Sequence, residues 1–267
     1  MTEKRQNKRD SNMDSKAAGK EGKYFYAVIP ASGDREYGDI GINGERVYLI
    51  LIADNQVGAV VSNFSNGNIR PERRHIAAHQ AVLKRLMEEE TPLPISFGVI
   101  AEGAKEIKRI LSLNRKSFAE QLRRVRGKVE MGLRVAWDVP NIFEYFVNTH
   151  AELRAARDQF LGKSRVPTQE EKIEVGRLFD RVLQEDREEH TDRVEAILSP
   201  ACFEIKRNAP RNERDVMNLA CLVGREAVDK DFDAAIFDAA HGFDNNFAFD
   251  FNGPWAPHNF VDLNLEL

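Results

Sequence analysis

Residues 128–139 read KVEMGLRVAWDV, with an apolar side chain at every second position. Val129, Met131, Leu133, Val135 and Trp137 share one face, and Glu130, Gly132, Arg134 and Ala136 the other. A period of two is the mark of a half-buried β-strand. Downstream the period lengthens: a helix opens near Pro140 with Ile142, Phe143, Phe146 and Val147 as its apolar stripe. Thr168 followed by Glu171 forms a capping box and starts a long helix over 168–198. ACFEIKR (201–207) and DVMNLACLVGRE (215–226) are strands around a loop that holds Pro210. Residues 227–240 form a helix with Val228, Phe232, Ala235, Ile236 and Ala239 inward, ending at Gly242. NNFAFDFNG (245–253) alternates Phe247, Phe249 and Phe251 and makes the last core strand. The order is β-α-β-β-α-β, the split βαβ or ferredoxin-like pattern, here with a long helical insertion.

Upstream, KYFYAVIP (23–30) is aromatic, β-branched and stopped by Pro30, so it is a strand. A loop carrying Gly33, Gly38, Gly41 and Gly44 follows. RVYLILIA (46–53) and QVGAVVSNF (56–64), separated by Asp54-Asn55, form a hairpin, and Asn66-Gly67 breaks the chain again. From Pro71 a helical period appears in Ile76, Ala77, His79, Gln80, Leu83, Leu86 and Met87, and Thr91-Pro92 ends it. LPISFGVI (93–100) is a buried strand, and residues 104–126 are helical with a break near Asn114 and Gly127 as the cap. The chain therefore divides into a polar tail (1–22), an α+β domain (23–127) and a second α+β domain (128–267), each with an antiparallel sheet and helices on one face.

Composition narrows the function. The chain has 267 residues, enough for two domains that fold without disulfides or metals. Its 39 basic and 43 acidic residues leave a net charge of −4, which argues against nucleic acid or an anionic membrane as the main partner. The tail is an exception: up to Lys23 seven basic residues face four acidic ones, and with almost nothing to bury it is expected to be disordered. No run approaches the roughly 20 apolar residues of a membrane span, and the first residues lack a secretory core, so a soluble cytoplasmic protein is expected.

No motif for chemistry emerges. His75 and His79 stand at i and i+4, but Ile76 occupies the place of the zinc-protease glutamate and no third ligand is evident. Gly38, Gly41 and Gly44 form a G-x-x-G-x-x-G that leads into a strand, so no helix N-terminus waits for a phosphate, and a mobile loop is expected. Cys202 and Cys221 are nearly equidistant from the centre of their hairpin and read as small buried thiols kept reduced. The acid-rich stretch 170–195 interleaves its carboxylates with Arg177, Arg181, Arg187 and Arg193, as on a solvated helix face with i,i+4 pairs. Catalytic, cofactor and metal residues are accordingly none.

The end of the chain, GPWAPHNF (253–260), is distinctive. Pro254 and Pro257 stiffen it and Gly253 permits a sharp turn, so Trp255 and Phe260 are held in defined places. The two aromatics either plug the edge of the core or present a surface to a partner. On the second reading the partner-binding candidates are Pro254, Trp255, Pro257 and Phe260.

This ending, preceded by FAFDFNG, resembles the closing signature G-P-W-P-P-Y-x-F of the gas vesicle protein L/F family. Leu93-Pro94-Ile95-Ser96-Phe97-Gly98 resembles that family's L-P-x-x-F-G motif, His79-Gln80-Ala81-Val82-Leu83 its central helix, Tyr24-Phe25-Tyr26 its opening strand, and Gly127-Lys128-Val129-Glu130 its G-x-x-E step. The motifs run in order from residue 23 to the end; Ala256, His258 and Ser96 depart from them, which leaves the F or L subtype open. The resemblance implies two α+β domains, the first ferredoxin-like. It also implies a minor structural protein of gas vesicles, without a cofactor, that acts in shell nucleation and assembly and contacts the main shell protein, gas vesicle protein A, and other accessory proteins. A place in the cytoplasm, at the gas vesicle, follows. The competing reading is a ferredoxin-like small-molecule-binding regulator or enzyme with an interdomain pocket.

Overall fold

Nine consecutive residues, Gly22–Pro30, form β1, the spine of the first sheet; seven of them are buried. The computed structural model describes residues 22–30, 33–52, 56–65, 68–161 and 168–263. Residues 1–21 of the polar tail and the breaks at Asp54-Asn55 and Asn66-Gly67 lie outside the described residues. Among these, the chain forms two compact units, one of residues 22–126 and 261–263 and one of residues 127–260.

In the first unit β2 (Glu36–Gly38), β3 (Val47–Leu51) and β4 (Val57–Phe64) pair in order onto β1, and every pairing is antiparallel. The run at 93–100 is not one strand. It forms two short pieces, β5 (Leu93–Pro94) and β6 (Ile100–Ala101), both on the free side of β1, with a turn at Phe97-Gly98 between them. Gly98 has φ +94°, a conformation that a β-branched strand former would resist.

Helix α1 (Arg73–Met87) buries His75, His79, Val82, Leu83, Leu86 and Met87. The buried stripe is rotated from the one expected, since His75 points inward and Ile76 outward. α2 (Ala104–Leu113) and α3 (Arg115–Val125) break at Asn114 as the sequence suggests, where the Asn114 amide donates to the Ile110 carbonyl at 2.9 Å. Ile107, Ile110, Leu111, Phe118, Leu122 and Val125 of these helices pack with Phe25, Val28, Ile50, Ala59 and Val61. The opposite face, with Tyr24 and Tyr26, meets His79 of α1. This sheet is thus covered on both faces, not one, which is why β1 shows no alternation.

The α+β class with two antiparallel sheets holds, and the order β3-β4-β1-β5 of the first sheet, with α1 crossing from β4 to β5, is the ferredoxin-like one. Where that pattern has its first crossover helix, residues 33–46 hold β2 and a single 3-10 turn at Ile42–Gly44. Val261 and Leu263 pack against the first core, and the second unit ends at Phe260.

The second unit carries the split βαβ order in full. β7 (Lys128–Trp137), β8 (Glu204–Arg207), β9 (Asp215–Gly224) and β10 (Phe247–Trp255) lie in the order β10-β7-β9-β8, all antiparallel. Between β7 and β8 run α4 (Ile142–Thr149), α5 (Ala151–Leu161) and α6 (Gln169–Leu198). The capping box at α6 is complete: Glu171 N–H donates to Thr168 Oγ1 at 3.3 Å and Thr168 N–H to Glu171 Oε2 at 2.8 Å. α6 is not wholly a wet helix, because Arg187 turns inward over Trp137 and donates to the Asp215 carbonyl at 2.8 Å. A π-helical turn (Val228–Phe232) precedes α7 (Asp233–Ala240); Val228 and Phe232 of the turn and Ile236 and Ala239 of the helix are buried, with Ala235 half-buried.

Candidate functional site

Antiparallel partners share a face, so register sorts the second sheet. Val129, Met131, Leu133, Val135 and Trp137 are buried, and Phe146 of α4 stacks edge-on against Trp137 at 5.1 Å. Glu130 pairs with Leu222 and Trp255, and Gly132 with Ala220 and Asn252, on the other face. Part of that face is closed by the chain's own last segment: Phe260 is fully buried in a cluster with Ala220 and Leu222.

The segment is fixed by one buried acid. Glu130 accepts from the Asn259 backbone N–H at 2.7 Å and from its side-chain amide at 2.6 Å. Burial pushes the Glu130 carboxyl up from its ordinary value, and the two Asn259 donors oppose the shift. Lys206 donates to the Asn259 carbonyl at 2.8 Å. Gly253 makes the approach possible: its φ is +136°, and a Cβ there would meet Met131 Sδ at 2.7 Å and the Glu130 carbonyl at 3.0 Å.

Of the four residues named from the sequence, Phe260 and Pro257 are interior, because the segment folds back over the sheet. Pro254 and Trp255 stay outside. Trp255 is 43% exposed, with its indole N–H donated to Asn252 Oδ1 at 2.7 Å, so the ring is oriented as well as accessible. It lies on β10, which among the described residues is paired on one side only. Phe251, 48% exposed, projects from the opposite face of the same strand. Phe251 is therefore not the core residue that its alternation suggested.

The remaining motif residues converge in the first unit. Tyr24 OH lies 3.0 Å from His79 Nδ1 and accepts the Gly98 N–H at 3.0 Å. Tyr26 OH accepts the Ile42 N–H at 2.8 Å and lies 2.9 Å from Ser62 Oγ. Burial pushes Tyr24 up to about 12 and raises Tyr26 too, so both hydroxyls stay protonated joints. The glycine-rich loop wraps this cluster: a Cβ on Gly41 would lie 2.7 Å from Tyr26 OH. Instead of a loose loop it forms a packed turn around Ile42, which is fully buried.

His75 Nδ1 bonds to the Arg70 carbonyl at 3.0 Å, and its Nε2 lies 3.3 Å from the Asn43 side-chain amide. The two histidines thus serve as tethers. Among the described residues no group of three or more His, Cys, Asp or Glu is placed to hold a metal, and no helix is long and apolar enough to cross a membrane. The sequence reading missed the Glu130–Asn259 clamp, although both residues stood inside quoted motifs; the missing information was that the two motifs touch.

The family described as Gas vesicle synthesis protein GvpL/GvpF matches residues 22–262. Gas vesicle protein F of Nostoc sp. is 23% identical over 91% of this chain and 98% of its own, and that of Haloferax mediterranei 26% over 91% and 94%. Gas vesicle protein L of Streptomyces sp. is 26% identical over 90% and 92%. Among solved structures, gas vesicle protein GvpF from Anabaena superposes with a TM-score of 0.78 at 22% identity, and that from Microcystis aeruginosa with 0.76 at 21%. Each structure match covers 91% of this chain and 99% of the other.

Proposed function

The chain belongs to the gas vesicle synthesis protein GvpL/GvpF family and is a gas-vesicle-associated protein; we propose that it acts in nucleation and assembly of the vesicle shell by binding the main shell protein, gas vesicle protein A. It does so as a binding protein and not as an enzyme.

The observation that carries this reading is the outer strand of the second sheet. β10 pairs with β7 on one side and exposes Phe251 and Trp255. An unpaired edge can accept a strand, and an ordered tryptophan can anchor an interface. Shell subunits that wall off a gas space must carry apolar surface before they are assembled, and an edge of this kind is complementary to such a surface. The clamped closing segment fixes the outer strand in place, so little ordering remains to oppose binding.

The test is in cells that build vesicles from a defined set of components. Omitting this chain is expected to abolish vesicles while the shell protein is still made, and a tagged copy is expected to co-purify with newly made shell protein. Normal vesicle yield without the chain contradicts the proposal.

A further inference from the structure

The sequence reads Cys202 and Cys221 as equivalent buried thiols, but the structure makes them unequal. Cys221, on β9, is fully buried, while Cys202 is half-buried and lines a cleft of about 440 Å³ in the second unit. Gly127, Pro200, Phe203, Gly224 and Ala227 form other parts of its wall. Phe203 at its rim is 66% exposed, with the Lys128 ammonium 4.2 Å above its ring. The two thiols are close enough to shift each other's proton affinity. Their backbones are held together by the ladder, with Phe203 N–H donating to the Leu222 carbonyl at 2.8 Å and Ile205 opposite Cys221.

We propose that Cys202 and Cys221 form a peroxide-responsive dithiol, in which Cys202 is oxidised through the cleft and Cys221 then closes an intramolecular disulfide. In the first step the Cys202 thiolate attacks one oxygen of a peroxide; an S–O bond forms, the O–O bond breaks, and the departing hydroxide takes a proton to leave as water. In the second step the Cys221 sulfur attacks the Cys202 sulfenic acid; the S–S bond forms, the S–O bond breaks, and the released hydroxide takes the Cys221 proton as a second water. Two thiols and one hydrogen peroxide give one disulfide and two waters.

The contact also sorts the roles. The neighbouring Cys221 thiol holds the Cys202 thiol below its ordinary value, and the same proximity together with burial pushes Cys221 up. The accessible sulfur is therefore the better nucleophile and the buried one the resolving partner. The disulfide fastens the approach to β8 onto β9, beside the cleft.

The test uses the full chain. Iodoacetamide on the native protein is expected to modify Cys202 at least about tenfold faster than Cys221. After dilute hydrogen peroxide, denatured protein is expected to take up no iodoacetamide, to be lighter by two hydrogen atoms, and to recover both thiols with dithiothreitol. In Cys221→Ser, Cys202 is expected to stop at a sulfenic acid that dimedone traps, and Cys202→Ser is expected to resist peroxide. Two thiols still free after peroxide, disulfides only between molecules, or direct passage of wild-type Cys202 to sulfinic acid would each overturn the proposal.

Discussion

Tyr24 illustrates how one buried side chain joins three separate segments of the first unit. Its hydroxyl links β1 to the α1 histidine and to the Gly98 turn. Its raised value, about 12 against 10 for a free phenol, has a defined consequence for stability. The folded state holds the proton more tightly than the unfolded one, so the contribution is complete below pH 10 and is lost as pH rises through about 12. Wild type is expected to lose about 2–3 kcal/mol more than Tyr24→Phe between those limits, as read by urea denaturation across pH. At neutral pH the same variant, with its Gly98 N–H left unanswered, is expected to be about 1–3 kcal/mol less stable. An identical pH slope in the two proteins would remove the joint. In the second unit Asn259→Ala strips the side-chain amide donor from the buried Glu130 while leaving the backbone N–H in place, and a loss of about 1–3 kcal/mol is expected.

Among the elements, legibility follows the number of covered faces. β7 keeps apolar and polar positions apart, so its alternation was readable, as was the capping box of α6, which is purely local. Thr168→Ala is expected to lower stability by about 1 kcal/mol in denaturant melts. β1 is buried on both faces and its neighbour at 93–100 is split by a turn, facts that depend on where α1 and Tyr24 end up. The Phe247–Phe249–Phe251 strand shows a different limit. Its parity was legible, but not how far the helices reach along it: Phe247 packs on Trp137 at 6.4 Å and Phe249 on Phe243 at 5.1 Å, whereas Phe251 runs past them into solvent. Since Phe249 is only half-buried, Phe249→Ala is expected to cost about 1.5–3 kcal/mol, less than a full core truncation, and Phe251→Ala less than about 1 kcal/mol. Equal losses for the two would contradict this burial gradient.

For the whole molecule, the motifs divide by role. Tyr24, His79 and Gly98 hold the first unit together, and Glu130, Gly253 and Asn259 hold the second. Trp255 stands apart, because it belongs to the closing motif yet leaves nearly half its surface in solvent, beside a strand edge that is unpaired among the described residues. A residue that only closed the core would be interior, as Phe260 is. The candidate site was therefore half legible: its place in the chain could be read, but the division between Phe260 inside and Trp255 outside needed the fold-back over the sheet. The most direct test of the proposed function is the affinity of purified Trp255→Ala for gas vesicle protein A, measured beside wild type with the melting temperature of each. The account predicts melting within a few degrees of wild type and capture weakened about 30-fold or more, the loss of an interface anchor worth about 2 kcal/mol. Undiminished capture by a folded variant would contradict it.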